Sequence, residues 1–301
     1  MLHKVNDRDD VLQLTLRPRL LDDVLAEIRG NHDLATLDSV DRDYLGEQAG
    51  SGLTIAITFD DGYLDNYEEA LPILKRWSAP AMIYLSTAHI DGTASFWFED
   101  LTAAIQLTHN RELALDLKDF GTRSLRTMKD KASVLLFLNG ELKRLDQGRR
   151  DEIIVAIVEQ LGTNKHVGRS AMLSWDQVRE MAKQGIQFGS HTVNHSILSR
   201  EKRSRIISEI QDSKKVVETQ LNSPVRSFAY PNGTGTDFNP EVTEEVRHAG
   251  YVNACTTIPG INRSADTLFT LRRVALHNDM CTNIKGEFDR HLFWSKTLSI
   301  F

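Results

Sequence analysis

Cysteine is nearly absent from this chain of 301 residues, with Cys255 and Cys281 as its two examples. That scarcity excludes a disulfide scaffold and, with no CxxC pair, a structural zinc site of the finger type. Two buried thiols are the expectation. No stretch of about 18 apolar residues occurs, so no membrane span is expected. The start, MLHKVNDRDDVLQLTLRPRL, is broken by charges every few positions and lacks the apolar segment of a signal peptide, which points to the cytoplasm. An excess of positive charge is missing too. Lys and Arg number 36 against 42 Asp and Glu, a net charge of -6, so no nucleic-acid partner is expected. What remains, 41% hydrophobic and 26% charged, is the composition of an ordinary globular protein able to bury a sizeable core.

Short apolar runs alternate with stretches of helical periodicity, the pattern of βα units around a parallel sheet or barrel. The spacing predicts strands at Leu53 to Phe59, Ala81 to Leu85, Ile186 to Gly189, Arg226 to Tyr230, Tyr251 to Thr256 and Leu271 to Leu276. Helices are expected at Leu64 to Trp77, at Arg200 to Leu221 with Ile206, Ile210, Val217 and Leu221 repeating at helical spacing, and near Pro240 to Ala249. Ser174-Trp175-Asp176-Gln177 reads as a capping box at the start of another. From Trp97 to about Arg169 the chain reads as largely helical, over Leu101 to Leu107, Lys131 to Leu145 and Glu152 to Leu161. With no Pro/Gly/Ser-rich linker to bound it, residues 97–169 are expected to be an insertion or flank within one domain spanning 1–301.

Three polar clusters fall at the C-terminal ends of expected strands: Asp60-Asp61, His191-Thr-Val-Asn-His195 and Leu276-His277. In parallel α/β architectures those ends face one rim, where active sites are built. His191 and His195, four apart, would share a face of a helical turn and present two imidazoles to one metal, with a carboxylate as third ligand. The adjacent aspartates, an awkward pair if nothing offsets their charge, then gain separate tasks. One neutralises the cation and the other takes a proton from water. Asp60-Asp61-Gly62 is also ordinary turn chemistry, and that reading competes with the first.

TFDDG, residues 58–62, followed by SHTVNH, residues 190–195, resembles the first two motifs of the polysaccharide deacetylase family, the NodB-homology domain of carbohydrate esterase family four. SFAYPNG, residues 227–233, resembles its third motif and LRRVALH, residues 271–277, its fifth. The resemblance implies a distorted (β/α) barrel of about seven parallel strands and a metal-dependent hydrolase that removes N-acetyl groups from amino sugars. It implies that Asp61, His191 and His195 bind a divalent metal, zinc first, with cobalt, manganese, iron or nickel as alternatives. Asp60 would be the general base and His277 the general acid, with an oxyanion donor at Tyr230 or Asn232. Two departures stand out. The third-motif Arg that orients the base in many members is replaced by Ala229, leaving Arg272 or Arg273 as its candidate substitute. The fourth, Asp-rich motif is absent between Gly233 and Leu271, where ACTTIPGIN stands instead, and this variant resembles the branch that contains exopolysaccharide-associated deacetylases. The implied substrate is an acetylated amino sugar of a polysaccharide, oligosaccharide or lipid-linked glycan. Alternatives are a deformylase, an O-deacetylase or another amide hydrolase of the same fold, and a non-catalytic glycan-binding protein. Oligomeric state is not legible. Tyr63, Tyr67 and Trp97 are expected to pack before they stack on sugar. His3, beside an apolar segment, is a packing residue first and a site residue second. His89, His109, His166, His248 and His291 have no motif context.

Overall fold

The computed structural model describes residues 1–8, 11–40, 53–163, 170–262 and 265–298, so His166 lies outside the described residues. Two compact units emerge: Met1–Thr93 with Ala171–Phe301, and Ala94–Ser170. In chain order the strands are β1 Lys4–Val5, β2 Thr15–Leu16, β3 Asp33–Leu34, β4 Thr54–Ile55, β5 Ile57–Phe59, β6 Ala81–Leu85, β7 Glu112–Leu115, β8 Gly121–Ser124, β9 Gln187–Ser190, β10 Ser227–Ala229 and β11 Asn253–Cys255. The α-helices are α1 Pro18–Asn31, α2 Leu71–Arg76, α3 Trp97–Leu107, α4 Met128–Leu142, α5 Gln147–Gln160, α6 Trp175–Lys183, α7 Arg203–Leu221, α8 Pro240–His248, α9 Asn278–Cys281 and α10 Arg290–Leu298.

The larger unit is organised by a curled, wholly parallel sheet in the order β11-β10-β9-β6-β5. Its strands are buried on both sides, as parallel strands are, and side chains alternate between the faces. Phe59, Ile83, Leu85, Phe188, Phe228, Tyr230 and Ala254 pack with Leu74, Val178, Ile206, Val217 and Val242 from the helices. Met82, Tyr84, Ala229 and Cys255 belong to a separate inner cluster. Burying each large apolar side chain contributes about 1.5–3 kcal/mol. Polar inner residues are satisfied by one another: Tyr84 Oη lies 2.6 Å from Ser227 Oγ, which donates to Asn253 Oδ1 at 2.5 Å. Both cysteines are free and buried.

Gly189 illustrates how tightly the inner face is filled. A Cβ there would stand 2.5 Å from the Tyr84 ring and 2.8 Å from Ser227 O. Gly189→Ala is therefore expected to destabilise the protein by about 1–3 kcal/mol, the usual cost of overpacking. A denaturant midpoint unchanged by the substitution would contradict this.

Five strands form the sheet, where about seven were expected. Segment 271–276 is not a regular strand; it contributes a single parallel bridge, Leu271 to Cys255. On the other edge Leu2 makes a single bridge to Phe59, and Leu276 N–H donates to Met1 O at 2.9 Å. These short pairings lack the consecutive ladder that defines a strand. The stretch Leu53 to Phe59 also splits, since β4 pairs with β3 in a two-stranded sheet while β5 enters the main one. β6 has the predicted limits, and Ser174 caps α6 reciprocally with Gln177.

The smaller unit packs α3, α4 and α5 with a β7-β8 antiparallel hairpin around its own core, which includes Trp97, Leu101, Ile105, Leu113, Phe120, Leu138 and Ile157. The hairpin adds two strands to a region expected to be largely helical. Thr127 opens α4 with a capping box and Asp146 caps α5. No helix among the described residues is long and apolar enough to cross a membrane.

Candidate metal centre

Asp60 directly follows β5 and His191 directly follows β9, so both continue the inner-face alternation beyond the strand ends. The turn after β5 needs unusual backbone: Asp61 has φ 79° and Gly62 φ 89°. Asp tolerates the left-handed region better than most residues. At Gly62 a Cβ would also stand 2.8 Å from Leu85 Cδ2, so glycine is required sterically as well. The turn is fastened by Leu173 N–H to Gly62 O at 2.9 Å and Leu64 N–H to Ala171 O at 2.9 Å.

The loop after β9 is zipped to the loop after β6. His191 N–H donates to Leu85 O, Thr87 N–H to Thr192 O and Ala88 N–H to Val193 O, at 2.9–3.1 Å. This brings one oxygen of Asp61 and the two imidazoles together. Asp61 Oδ1 is 3.6 Å from His191 Nε2 and 3.4 Å from His195 Nε2, and the three ligand atoms lie within 4.8 Å of one another. All three residues are buried. His191 Nδ1 lies 2.7 Å from Ala229 O; as a donor there it fixes the tautomer and leaves Nε2 with its lone pair toward Asp61, the orientation a metal ligand needs. Burial lowers the His191 pKa, against the opposing pull of Asp60, so the ring is neutral and able to ligate.

Asp60 faces a different partner. Arg273 Nη1 donates to its Oδ1 at 2.7 Å and Nη2 to its Oδ2 at 2.8 Å, a two-pronged buried pair. Burial alone would raise the Asp60 pKa, but the guanidinium holds the carboxyl well below the usual carboxylate range. Arg273 is itself held by Thr256 O and Thr58 Oγ1. Arg272, its neighbour, is exposed and donates to Pro259 O. Of the two arginines, only Arg273 contacts Asp60.

Tyr230 and Asn232 separate. Tyr230 is on the helix-covered face, stacked on Phe238 with its hydroxyl donating to Phe269 O at 3.0 Å, and its N–H donates to Cys255 O. Asn232 follows in the turn with φ 58°, and its buried Nδ2 has no hydrogen-bond partner among the described residues. His277, the expected acid, and His3 separate as well. His277 is half-buried at the start of α9, with Asp279 and Lys296 as the charged groups acting on it. His3 is surrounded electrostatically by Asp60, Arg273 and His191, and burial pushes its pKa down to about 4. Its carbonyl accepts from Asn66 Nδ2 at 2.8 Å, so a residue of the TFDDGYLDN stretch holds it in place. Asn66 carried no signal in the sequence, because nothing local shows that its partner is 63 residues away. Tyr63 is buried under Lys4, while Tyr67 donates to Glu180 at the surface. Trp97 is buried in the smaller unit.

The geometry has counterparts. PplD from Streptococcus pyogenes, a deacetylase solved in complex with acetate, superposes with a TM-score of 0.59 at 21% identity, over 93% of this chain and 92% of its own. IcaB from Ammonifex degensii gives 0.58 at 19% identity, over 92% and 90%. These likenesses establish a NodB-like deacetylase fold. YxkH of Bacillus subtilis (strain 168) is 22% identical over 234 residues, 78% of this chain and 55% of YxkH. The chain thus spans about half the length of that curated relative. Residues 47–254, well over half the sequence, match the polysaccharide deacetylase family and include both motifs that build the buried Asp-His-His cluster. The chain therefore belongs to the polysaccharide deacetylase family.

Proposed function

We propose that this protein is a metal-dependent hydrolase that removes N-acetyl groups from amino sugars of a polysaccharide, oligosaccharide or lipid-linked glycan. The observation that carries the reading is the buried Asp61, His191 and His195 cluster, with a separately anchored Asp60 next to Asp61 in sequence. Two imidazole nitrogens and one carboxylate oxygen suit zinc first, with cobalt, manganese, iron or nickel as alternatives. A divalent cation held there supplies a Lewis acid for the acyl carbonyl and makes water more acidic.

The protein's own groups divide the remaining work. Asp60 accepts the proton of the attacking water. Arg273 keeps it ionised and fixed at the cost of basicity, which suits a water already made acidic. Each carboxylate oxygen retains a second lone pair after bonding Arg273, so one is open for that proton. Asn232, whose amide donor has no partner among the described residues, supports the reading of a donor to the oxyanion. Tyr230 is less suited, because its N–H and hydroxyl are both engaged. For the proton to the leaving amine we assign His3 over His277, since His3 shares its electrostatic surroundings with Asp60 and His191; neutral at rest, it would relay to the amine the proton that Asp60 takes from water.

Acetate release from acetylated glucosamine oligomers is the test. Wild-type protein should release acetate, and a chelator should abolish the activity, with zinc or cobalt restoring it. His3→Gln should lower kcat by about 10²–10⁴-fold, the usual worth of a general acid, while His277→Gln should change it little. The reverse order would return the role to His277. Sugar binding without release of any acyl group, in the presence of metal, would make the protein a glycan binder instead. Formate in place of acetate would change the acyl group alone.

A further inference from the structure

Helix α7 buries a stripe of Ile206, Ile210 and Val217, and an acid, Glu209, sits in the middle of it at 1% exposure. Buried carboxylates need several donors to be tolerated. Glu209 has them, and three come from one loop. Its Oε2 accepts from the backbone N–H of Val193 at 2.9 Å and of Asn194 at 2.8 Å, and its Oε1 accepts from Asn194 Nδ2 at 2.7 Å. Arg205, one turn earlier and partly exposed, pairs with Oε1 at 3.0 Å.

Val193 and Asn194 are two of the three residues between the histidines, and their loop is strained. Thr192 has φ 67° and His195 φ 54°. A β-branched residue in the left-handed region is an outlier, and such strain costs about 1–3 kcal/mol per residue unless the surroundings fix it. The backbone carbonyls of Thr192 and Val193 are taken by the Thr87 and Ala88 N–H groups. The N–H groups of Val193 and Asn194 are taken by Glu209. The carboxylate is thus the counterpart, on the helix side, of the β6 loop on the sheet side.

We infer that Glu209 is a positioning residue of the metal centre: by binding the Val193 and Asn194 amides it holds the 191–195 loop in the conformation that aims His191 Nε2 and His195 Nε2 at Asp61. The inference rests on the proposed metal site. It does not place Glu209 in contact with metal or substrate.

Two substitutions separate loop geometry from charge. Glu209→Gln keeps an oxygen where the two backbone N–H groups need it, and the Asn194 amide can turn to accept from the new NH2. Glu209→Asp keeps the charge but withdraws it by one methylene, out of reach of the loop. Cobalt is the probe, with affinity read by calorimetry and the ligand field by its visible absorption. Thermal unfolding in chelator reports stability without metal. Relative to wild type, E209D is expected to bind cobalt about 10–100-fold more weakly, the usual cost of losing a group that orients ligands, with an altered visible spectrum. E209Q should remain within a few-fold and keep the spectrum. A role in fold stability alone would lower the melting temperature in chelator while leaving the cobalt spectrum as in wild type. That result, or E209Q impaired as much as E209D, would overturn the inference. Wild-type protein that binds no cobalt would overturn the metal reading and this inference with it, whereas wild-type binding matched by E209D would overturn this one alone.

Discussion

Asp61→Ala is expected to leave the purified protein with almost no tightly held divalent metal, while Asp60→Asn keeps about one ion per chain and loses turnover by about 10²–10⁴-fold. The two side chains are adjacent and equally buried, so burial does not distinguish them. Their partners do. Asp61 Oδ1 faces both imidazoles at 3.4 and 3.6 Å, and removing it strips one of three ligands and the charge that offsets a cation. Asp60 has both oxygens on Arg273; its amide replacement still accepts from one prong but no longer takes a proton at neutral pH. Elemental analysis after dialysis, beside an acetate-release assay, reads both effects. Retained metal in Asp61→Ala, or lost metal in Asp60→Asn, would exchange the assigned roles. Asp60→Asn also leaves Arg273 buried without a counter-charge, so its folding is to be checked by circular dichroism before its activity is interpreted.

Range decides why the clustered Asp and His residues are easy to read from the sequence and other parts are not. Asp60 and His191 lie directly after β5 and β9, whose period-2 alternation points the first residue past each strand inward, and Asp61 and His195 follow close behind in the same motifs. β6 was legible for a related reason: Pro80 bounds a continuous apolar run that both faces of a parallel sheet require. Segment 271–276 has the same apolar character, yet its sheet contact is the one bridge from Leu271 to Cys255. A run of apolar residues does not state how many ladder bonds it will find. That bridge also decides which arginine reaches Asp60, and adjacency in sequence hides the distinction. Arg273 lies two residues past Leu271 and turns inward, and Arg272 turns out. His3 was obscure because its position depends on Leu2 pairing with Phe59 across more than fifty residues of chain. The β7-β8 hairpin was missed because only β7 alternates, through Leu113 and Leu115, while its partner β8 holds no apolar residue and both are four residues long beside strong helical periodicity. Glu209 left a readable trace, an acid breaking the apolar stripe of α7, though the stripe alone does not say what the acid binds.

Arg273→Met should cost about 3–5 kcal/mol of stability at neutral pH, the typical price of removing one partner from a buried ion pair. Methionine matches the length of the stem but supplies no donor, so Asp60, 1% exposed, keeps the desolvation that raises its pKa and loses the charge that lowers it. The pH dependence should then change sign, measured in chelator so that no metal contributes. In the wild type the folded value lies below the ordinary 3.8 of an aspartate. The pair's stabilisation is therefore complete above 3.8 and is lost as pH falls toward the folded value. In Arg273→Met the folded value lies above 3.8, so this carboxyl makes the protein more stable as pH falls through that raised value, with the gain complete below 3.8. Arg272→Met is the control. Its side chain is exposed and donates to Pro259 O, so its stability should stay within about 0.5 kcal/mol of wild type. Arg273→Lys keeps the charge but not the fork that grips both Asp60 oxygens, and should recover part of the stability while leaving kcat well below wild type. Equal stability of Arg273→Met and Arg272→Met at neutral pH would mean that Asp60 does not depend on this guanidinium.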